Sequence, residues 1–250
     1  MLTSAEIKRL QRLRDDDRHR RDKGVFLVEG DKAVREFLGD HRFVVTLFAT
    51  ADWSCPPAPG RTVREVTMVE MGKITHLPSP SSVLAVLQRP APVPLDPAQL
   101  RHGLTLALDA VQDPGNVGTI IRIADWYGCE RVLLGDGCAD PFSQKVVNAS
   151  KGSLARAEIH RVDLPAVLAA AGVPVLGCAL DGASIHSFPT PPAAIVVIGN
   201  EGRGLSAAVH AAVTQRITIP SFGHAESLNA AVAAAIVCDN LRRLAGAVWK

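Results

Sequence analysis

Aromatic side chains are scarce in this chain of 250 residues: they make up 4%, with a single Tyr. Its core must therefore be built mainly from Ala, Val, Leu and Ile. Net charge is nearly missing as well. The 27 Lys and Arg stand against 25 Asp and Glu, a balance of +2, so no molecule-wide basic field advertises a polyanionic partner. The five cysteines, at 55, 129, 138, 178 and 238, include no Cys-x-x-Cys pair. That argues against a zinc ribbon or a redox pair, and an odd, scattered set fits reduced thiols in a cytosol. No uncharged apolar run is both free of Pro and long enough to span a bilayer. The opening MLTSAEIKRLQRLRDDDRHRR is charged where a secretory signal needs an apolar stretch. The expectation is a cytoplasmic protein with no membrane and no metal. Apolar residues are plentiful at 47%, beside 21% charged, a globular composition for one large domain or two small ones.

Charge is concentrated at the start. Residues 1–24 hold eight Lys and Arg and five Asp and Glu. Leu2, Ile7, Leu10 and Leu13 recur at roughly helical spacing and predict an amphipathic helix ending in a polar stretch. Its charged side reads either as a solvated helix face or as an arm that touches RNA. Strand, helix and strand follow in VFLVEG, DKAVREFL and FVVTLFAT, with Ala33, Val34, Phe37 and Leu38 on one helical face. RTVREVT alternates, MVEMGKIT fits a short helix, and SSVLAVLQ is strand-like. Residues 1–90 thus read as a small α/β domain. Four Pro and little periodicity in RPAPVPLDPAQLRHG make 91–103 the linker.

From 104 to 250 the rhythm is α/β. Strands are expected at 104–111, 131–137, 173–182, 193–202 and 216–220. One helix, VGTIIRIADWYG, stops at Gly128, and PFSQKVVNAS opens another. The last element, 225–248, reads as a long Ala-rich helix whose first part is apolar nearly all round. It should be buried on more than one side, against its own sheet and a second copy of the chain.

Three Gly- or Asn-containing loops each follow an apolar strand, and ligands of parallel α/β sheets bind beyond the carboxyl ends of strands. In DPGNVGTIIR, Asn116 is a candidate helix cap, and apolar neighbours on either side of Arg122 predict a partly enclosed guanidinium with an anionic partner. In VIGNEGRGL, three glycines within six residues allow close approach to the backbone. The order is not that of a dinucleotide fingerprint, and Glu201 would repel phosphate, which favours a ligand whose recognised part is neutral or cationic. In IPSFGHAESLNAAVA, Ser227 is a candidate cap, with Leu228 and Asn229 in the first helical turn. An Asn there needs a hydrogen-bond partner, either loop backbone or substrate.

Together NVGTIIR, GNEGRGLS and IPSFGHAESLNAAVA resemble the three ordered motifs of the SpoU/TrmH family of RNA ribose 2′-O-methyltransferases, within the SPOUT superfamily. VFLVEGDKAVREFL and LPSPSSVLAVLQRP are similar, more loosely, to that family's small substrate-binding domain. The resemblance implies an S-adenosylmethionine-dependent enzyme whose parallel-sheet domain is tied in a trefoil knot. It also implies a homodimer with the site near the subunit interface. It assigns Asn116, Arg122, Glu201, Ser227 and Asn229 to the catalytic site, and Gly199, Asn200, Gly204, Ile219 and Leu228 to the cofactor. The lead FGHAE, with His224 and Glu226, departs from the family's shorter polar lead, while Ser227-Leu228-Asn229 is intact. A folded front domain favours ribosomal over transfer RNA as substrate. Two readings stand beside this one: a non-catalytic RNA-binding or ribosome-assembly factor of the same fold, and an unrelated nucleotide-binding α/β enzyme.

Overall fold

The computed structural model describes residues 1–39, 43, 45–57 and 61–244, which fall into two compact units. The first joins Met1–Ala91 to Phe142–Arg156; the second joins Pro92–Pro141 to the chain from Ala157 onward.

The first unit opens with α1 (Ser4–Asp15) and α2 (Asp17–Asp22). Thr3 and Glu6 start α1 reciprocally: the Glu6 amide donates to Thr3 Oγ1 at 3.2 Å and the Thr3 amide donates to Glu6 Oε2 at 2.8 Å. Leu2, Leu10 and Leu13 are buried in one cluster, as their spacing predicts. Then come β1 (Val25–Glu29), α3 (Asp31–Leu38), β2 (Val45–Ala49), β3 (Arg61–Glu65), α4 (Met68–Ile74) and β4 (Val83–Gln88). The sheet order is β1-β4-β2-β3, with β4 antiparallel to both neighbours and β3 parallel to β2. Val34 and Phe37 of α3 are buried.

The second unit has β5 (Gly103–Leu108), α5 (Pro114–Trp126), β6 (Arg131–Leu134) and, before β7 (Ile159–Arg161), a departure of the chain. That departure carries α6 (Gln144–Ser150), which packs beside β1 in the first unit. There the Phe142 and Phe26 rings lie 5.0 Å apart, and Gln144 Nε2 donates to the Leu27 carbonyl at 3.3 Å. The second unit continues with α7 (Leu164–Ala170), β8 (Val175–Ser184), β9 (Ala193–Ile198), α8 (Ala207–Ala212), β10 (Gln215–Thr218) and α9 (Ala230–Leu244). Its six strands are all parallel in the order β10-β8-β9-β5-β6-β7. All six residues of β9 and five of six in β5 are buried, which is why these strands read as continuous apolar runs.

Two expectations about element ends change. Part of the Pro-rich stretch is ordered into the second unit: Pro97–Arg101 form a helical turn whose Leu100 is buried with Leu133, Leu164 and Ile195. The last helix starts at Ala230 rather than 225; 245–248 lie outside the described residues. Among the described residues no helix is long and apolar enough to cross a membrane.

Candidate active site

Strand order in the second unit reverses beside β5. The chain goes from β5 to β6 and β7 on one side, while β9, β8 and β10 lie on the other. Such a reversal opens a crevice at the carboxyl ends of the two central strands. The loops after β5 and β9 therefore face each other there, and they hold the first two motifs.

The loop after β5 is tightly specified. Asp109 is buried, and its Oδ2 accepts from the Ser206 amide at 2.6 Å. Ala110 adopts φ +53°, and its carbonyl accepts from Asn200 Nδ2 at 2.9 Å. A non-glycine residue in that region costs about 1–2 kcal/mol, offset by this cross-loop bond. Asp113, not Asn116, caps α5: its Oδ1 accepts from the Asn116 amide at 2.8 Å. Relieved of capping, the Asn116 side chain is free to reach sideways.

The loop after β9 closes on itself. Asn200 and Gly204 exchange backbone hydrogen bonds of 3.0 and 2.9 Å. Asn200 Oδ1 accepts from the amides of Gly202 and Arg203 at 3.0 and 3.1 Å. A Cβ on Gly199 would lie 2.5 Å from the Gly204 backbone, so only glycine fits there. Glu201 stands exposed at the tip.

The third loop returns from β10 to α9, which packs on α5. Asn229, not Ser227, caps α9: its Oδ1 accepts from the amides of Ala231 and Val232 at 2.9 and 3.3 Å. Ser227 and Leu228 precede the helix rather than sit in it, and both are exposed. Asn229 Nδ2 donates to Asn116 Oδ1 at 2.8 Å, and Asn116 Nδ2 donates to Glu201 Oε1 at 2.6 Å. One hydrogen-bonded relay, Asn229 to Asn116 to Glu201, thus joins all three loops.

Arg122 does not join this relay. It is exposed rather than enclosed, and among the described residues it has no hydrogen bond or ion pair. Six positions beyond Asn116, it points about 240° further round α5, towards the same side as Trp126, four residues on and 79% exposed. Glu201 therefore holds Asn116, not Arg122. Ile219 is half-buried just after β10. Sequence reasoning missed Asp109, Ala110 and Asp113. An Asp closing the apolar run LTLAL was the available signal for the first, and Asp-Pro before a helical pattern for the last.

Residues 103–239 match the model of the SpoU rRNA Methylase family. The chain belongs to the SpoU methylase family. Residues 4–85 match a second model, the MRM3-like substrate binding domain. Among SpoU methylase relatives, the 23S rRNA (guanosine(2553)-2′-O)-methyltransferase RlmP of Bacillus subtilis is 35% identical over 224 residues, 87% of this chain and 88% of that one. A putative RNA methyltransferase of the TrmH family from Porphyromonas gingivalis superposes with a TM-score of 0.85 at 42% identity. The match covers 97% of this chain and 99% of that one. An AdoMet-bound rRNA methyltransferase from Sinorhizobium meliloti superposes with a TM-score of 0.84 at 30% identity, covering 97% and 96%. The mixed α/β fold with its parallel sheet, expected from the motifs, is the fold of these SpoU methylases.

Proposed function

We propose that this SpoU methylase transfers the methyl group of S-adenosylmethionine to a ribose 2′-hydroxyl of ribosomal RNA. The observation that carries this reading is the relay Asn229–Asn116–Glu201, which draws the three loops together at the switch point of the sheet.

The residues present suit the cofactor. It supplies a sulfonium methyl, an electrophile that needs no further activation. Its positive charge agrees with a loop that presents a carboxylate, Glu201, and no phosphate cradle. Its adenine needs apolar cover and backbone hydrogen bonds. Ile219 and Leu228 offer the former, Leu228 being 48% exposed. The Leu228 backbone has no hydrogen-bond partner among the described residues. Gly199, Asn200 and Gly204 supply the pinned loop that forms the other wall.

The remaining task is the ribose hydroxyl, a poor nucleophile until its proton leaves. The chain must hold that oxygen in line with the methyl carbon and sulfur. Asn116 and Asn229 orient the ribose, with Ser227 two positions before Asn229, and Glu201 fixes Asn116. A guanidinium is a poor proton acceptor, so Arg122 is an awkward base. Facing away from the relay of its own chain, it would bind the adjacent phosphate and stabilise the developing alkoxide at the site of a second copy.

A homodimer belongs to the same proposal. Val232 of α9 is 47% exposed, Trp126 of α5 is 79% exposed, and Ile236 is only partly covered. A second copy would cover this apolar surface, and Arg122 shares the Trp126 side. The trefoil knot, a cytoplasmic location and the choice of ribosomal over transfer RNA complete the reading. The test is transfer of labelled methyl from S-adenosylmethionine into bulk ribosomal and transfer RNA, followed by nuclease digestion. The reading expects label in 2′-O-methylnucleotides of ribosomal RNA. Label in transfer RNA alone would move the substrate. RNA binding without label would point to the non-catalytic factor.

A further inference from the structure

We infer that the paired helices α1 and α2 form a sequence-independent docking face for the RNA sugar–phosphate backbone. This inference rests on the proposed RNA substrate and names the surface that grips it. The charge of residues 1–24 is not spread evenly. Four of the five acids are engaged at home. Glu6 binds Thr3 and Arg64, Asp15 pairs with Arg14 at 2.6 Å, Asp16 accepts from the His19 amide at 2.9 Å, and Asp17 pairs with Arg20. Only Asp22 is left without such a bond among the described residues. The side chains of Lys8, Arg9, Arg12, Arg18, Arg21 and Lys23 are exposed and make no hydrogen bond or ion pair among the described residues. A local excess of three positive charges by composition thus becomes six uncommitted cations facing one uncommitted acid.

Geometry gathers them. Lys8 and Arg12 are one turn apart on α1, on the side away from the buried Leu10, and the exposed Arg9 flanks them at the edge next to the buried Leu13. Arg18 and Arg21 are one turn apart on α2. The two helices are locked together by a buried arginine. Arg20 is 2% exposed, and its Nη1 donates to the Leu13 carbonyl and, at 2.7 Å, to the Arg14 carbonyl at the end of α1. An Arg spent in this way satisfies helix-end carbonyls and fixes the angle between two cationic rows. The face has few of the features that stack on or read bases: among the described residues of 1–24 there is no Phe, Tyr or Trp, the one imidazole, His19, is half-buried, and no Asn or Gln is exposed. Long, mobile cations on a rigid support fit phosphates, which give affinity and position but not sequence.

The experiment uses the full-length enzyme and two ribosomal RNA fragments of equal length, one containing the methylated nucleotide and one not. Arg9→Gln, Arg12→Gln and Arg18→Gln are combined; Gln keeps helix propensity, and a matched triple Lys variant keeps the charge. Each lost phosphate contact reduces the slope of log affinity against log salt by roughly 0.7–0.9. The Gln triple variant should therefore lose about two units of slope on both fragments alike, with S-adenosylmethionine affinity unchanged, and the Lys triple should keep the slope. An unchanged slope in the Gln variant, or a loss confined to the cognate fragment, would overturn the docking face. If wild type neither binds nor methylates ribosomal RNA, the proposed function itself fails. A wild type that does both while the Gln variant matches it refutes only this face.

Discussion

Asn116 makes two opposite demands of one amide: its oxygen accepts from Asn229 and its nitrogen donates to Glu201. Asn116→Asp keeps the acceptor and turns the donor into a second carboxylate beside Glu201. Turnover should fall by more than tenfold, while Glu201→Gln alone falls less. Combining Asn116→Asp with Glu201→Gln restores a donor on the other side of the pair and should recover much of the loss; additive losses in that cycle would remove the relay from the account. Arg122 is a separate case. Arg122→Ala should cut turnover by about 10²–10³, the usual cost of a lost oxyanion donor, and leave cofactor affinity nearly unchanged. Arg122→Lys should rescue poorly, since an ammonium lacks the planar fork. A Lys variant near wild-type rate with a shifted alkaline limb would instead make residue 122 a proton acceptor. The residue types of this site were legible in the three motifs. Their partners were not, because Asn116 and Glu201 are 85 positions apart and local spacing carries no information about a bond across a switch point. The enclosed setting expected for Arg122 failed for a related reason. Apolar neighbours at adjacent positions lie on other sides of a helix, so they do not enclose it.

Elements were read well wherever one local pattern decided them. β5 and β9 are continuous apolar runs, α3 carries its buried pair Val34 and Phe37, and Gly128 ends α5 with φ +59°. Caps were read less well, because several residues near a helix start can accept the same amide. Asn116 and Ser227 looked like caps, but Asp113 and Asn229 take the amides. The α9 cap gives a test that separates structure from chemistry. Asn229→Ala loses both the cap and the link to Asn116, so stability should drop by about 1 kcal/mol and activity should fall. Asn229→Ser keeps a capping oxygen but is too short for the link. Thermal unfolding near wild type with impaired turnover is the expected result; full activity would mean that the link is dispensable.

Acid should weaken the first unit. Arg64, through a hydrogen bond, and then the Thr3 amide and hydroxyl hold the Glu6 carboxyl down to about 2, against an ordinary 4.5. Amides of Thr67 and Leu2 depress Glu70. Burial works to raise Glu29, but hydrogen bonds from His76 and Thr75 outweigh it and leave it lowered. Folded values below the unfolded ones mean that this stabilisation is complete above about pH 4.5. It is lost as pH falls through the folded values, down to about 2 for Glu6. Melting followed by a probe in each unit should show the first unit weakening between about pH 4.5 and 2, and Glu6→Gln should flatten that response.

At the scale of the whole molecule, the chain crosses between its units at three places rather than one. The Pro-rich stretch lies at the first crossing. Nothing local signalled the other two, because VVNAS is as apolar as a segment that stays with its own sheet. Removing residues 1–91 would take away Phe26 and β1 from Phe142 and α6, whose Val146 and Val147 are buried. The truncated chain should therefore bind S-adenosylmethionine but aggregate more readily, and Phe142→Ser with Val146→Ser should restore its solubility. The central claim, that the relay-bearing site methylates a ribose, is tested most directly by mapping 2′-O-methylnucleotides in ribosomal RNA. The cells compared would lack this protein, carry it, or carry only the Asn116→Asp form. One ribose position should be methylated with the wild-type chain, unmethylated without it, and largely unmethylated with the variant. An identical 2′-O-methyl pattern in all three, or a protein-dependent methyl group on a base instead of a ribose, would contradict it.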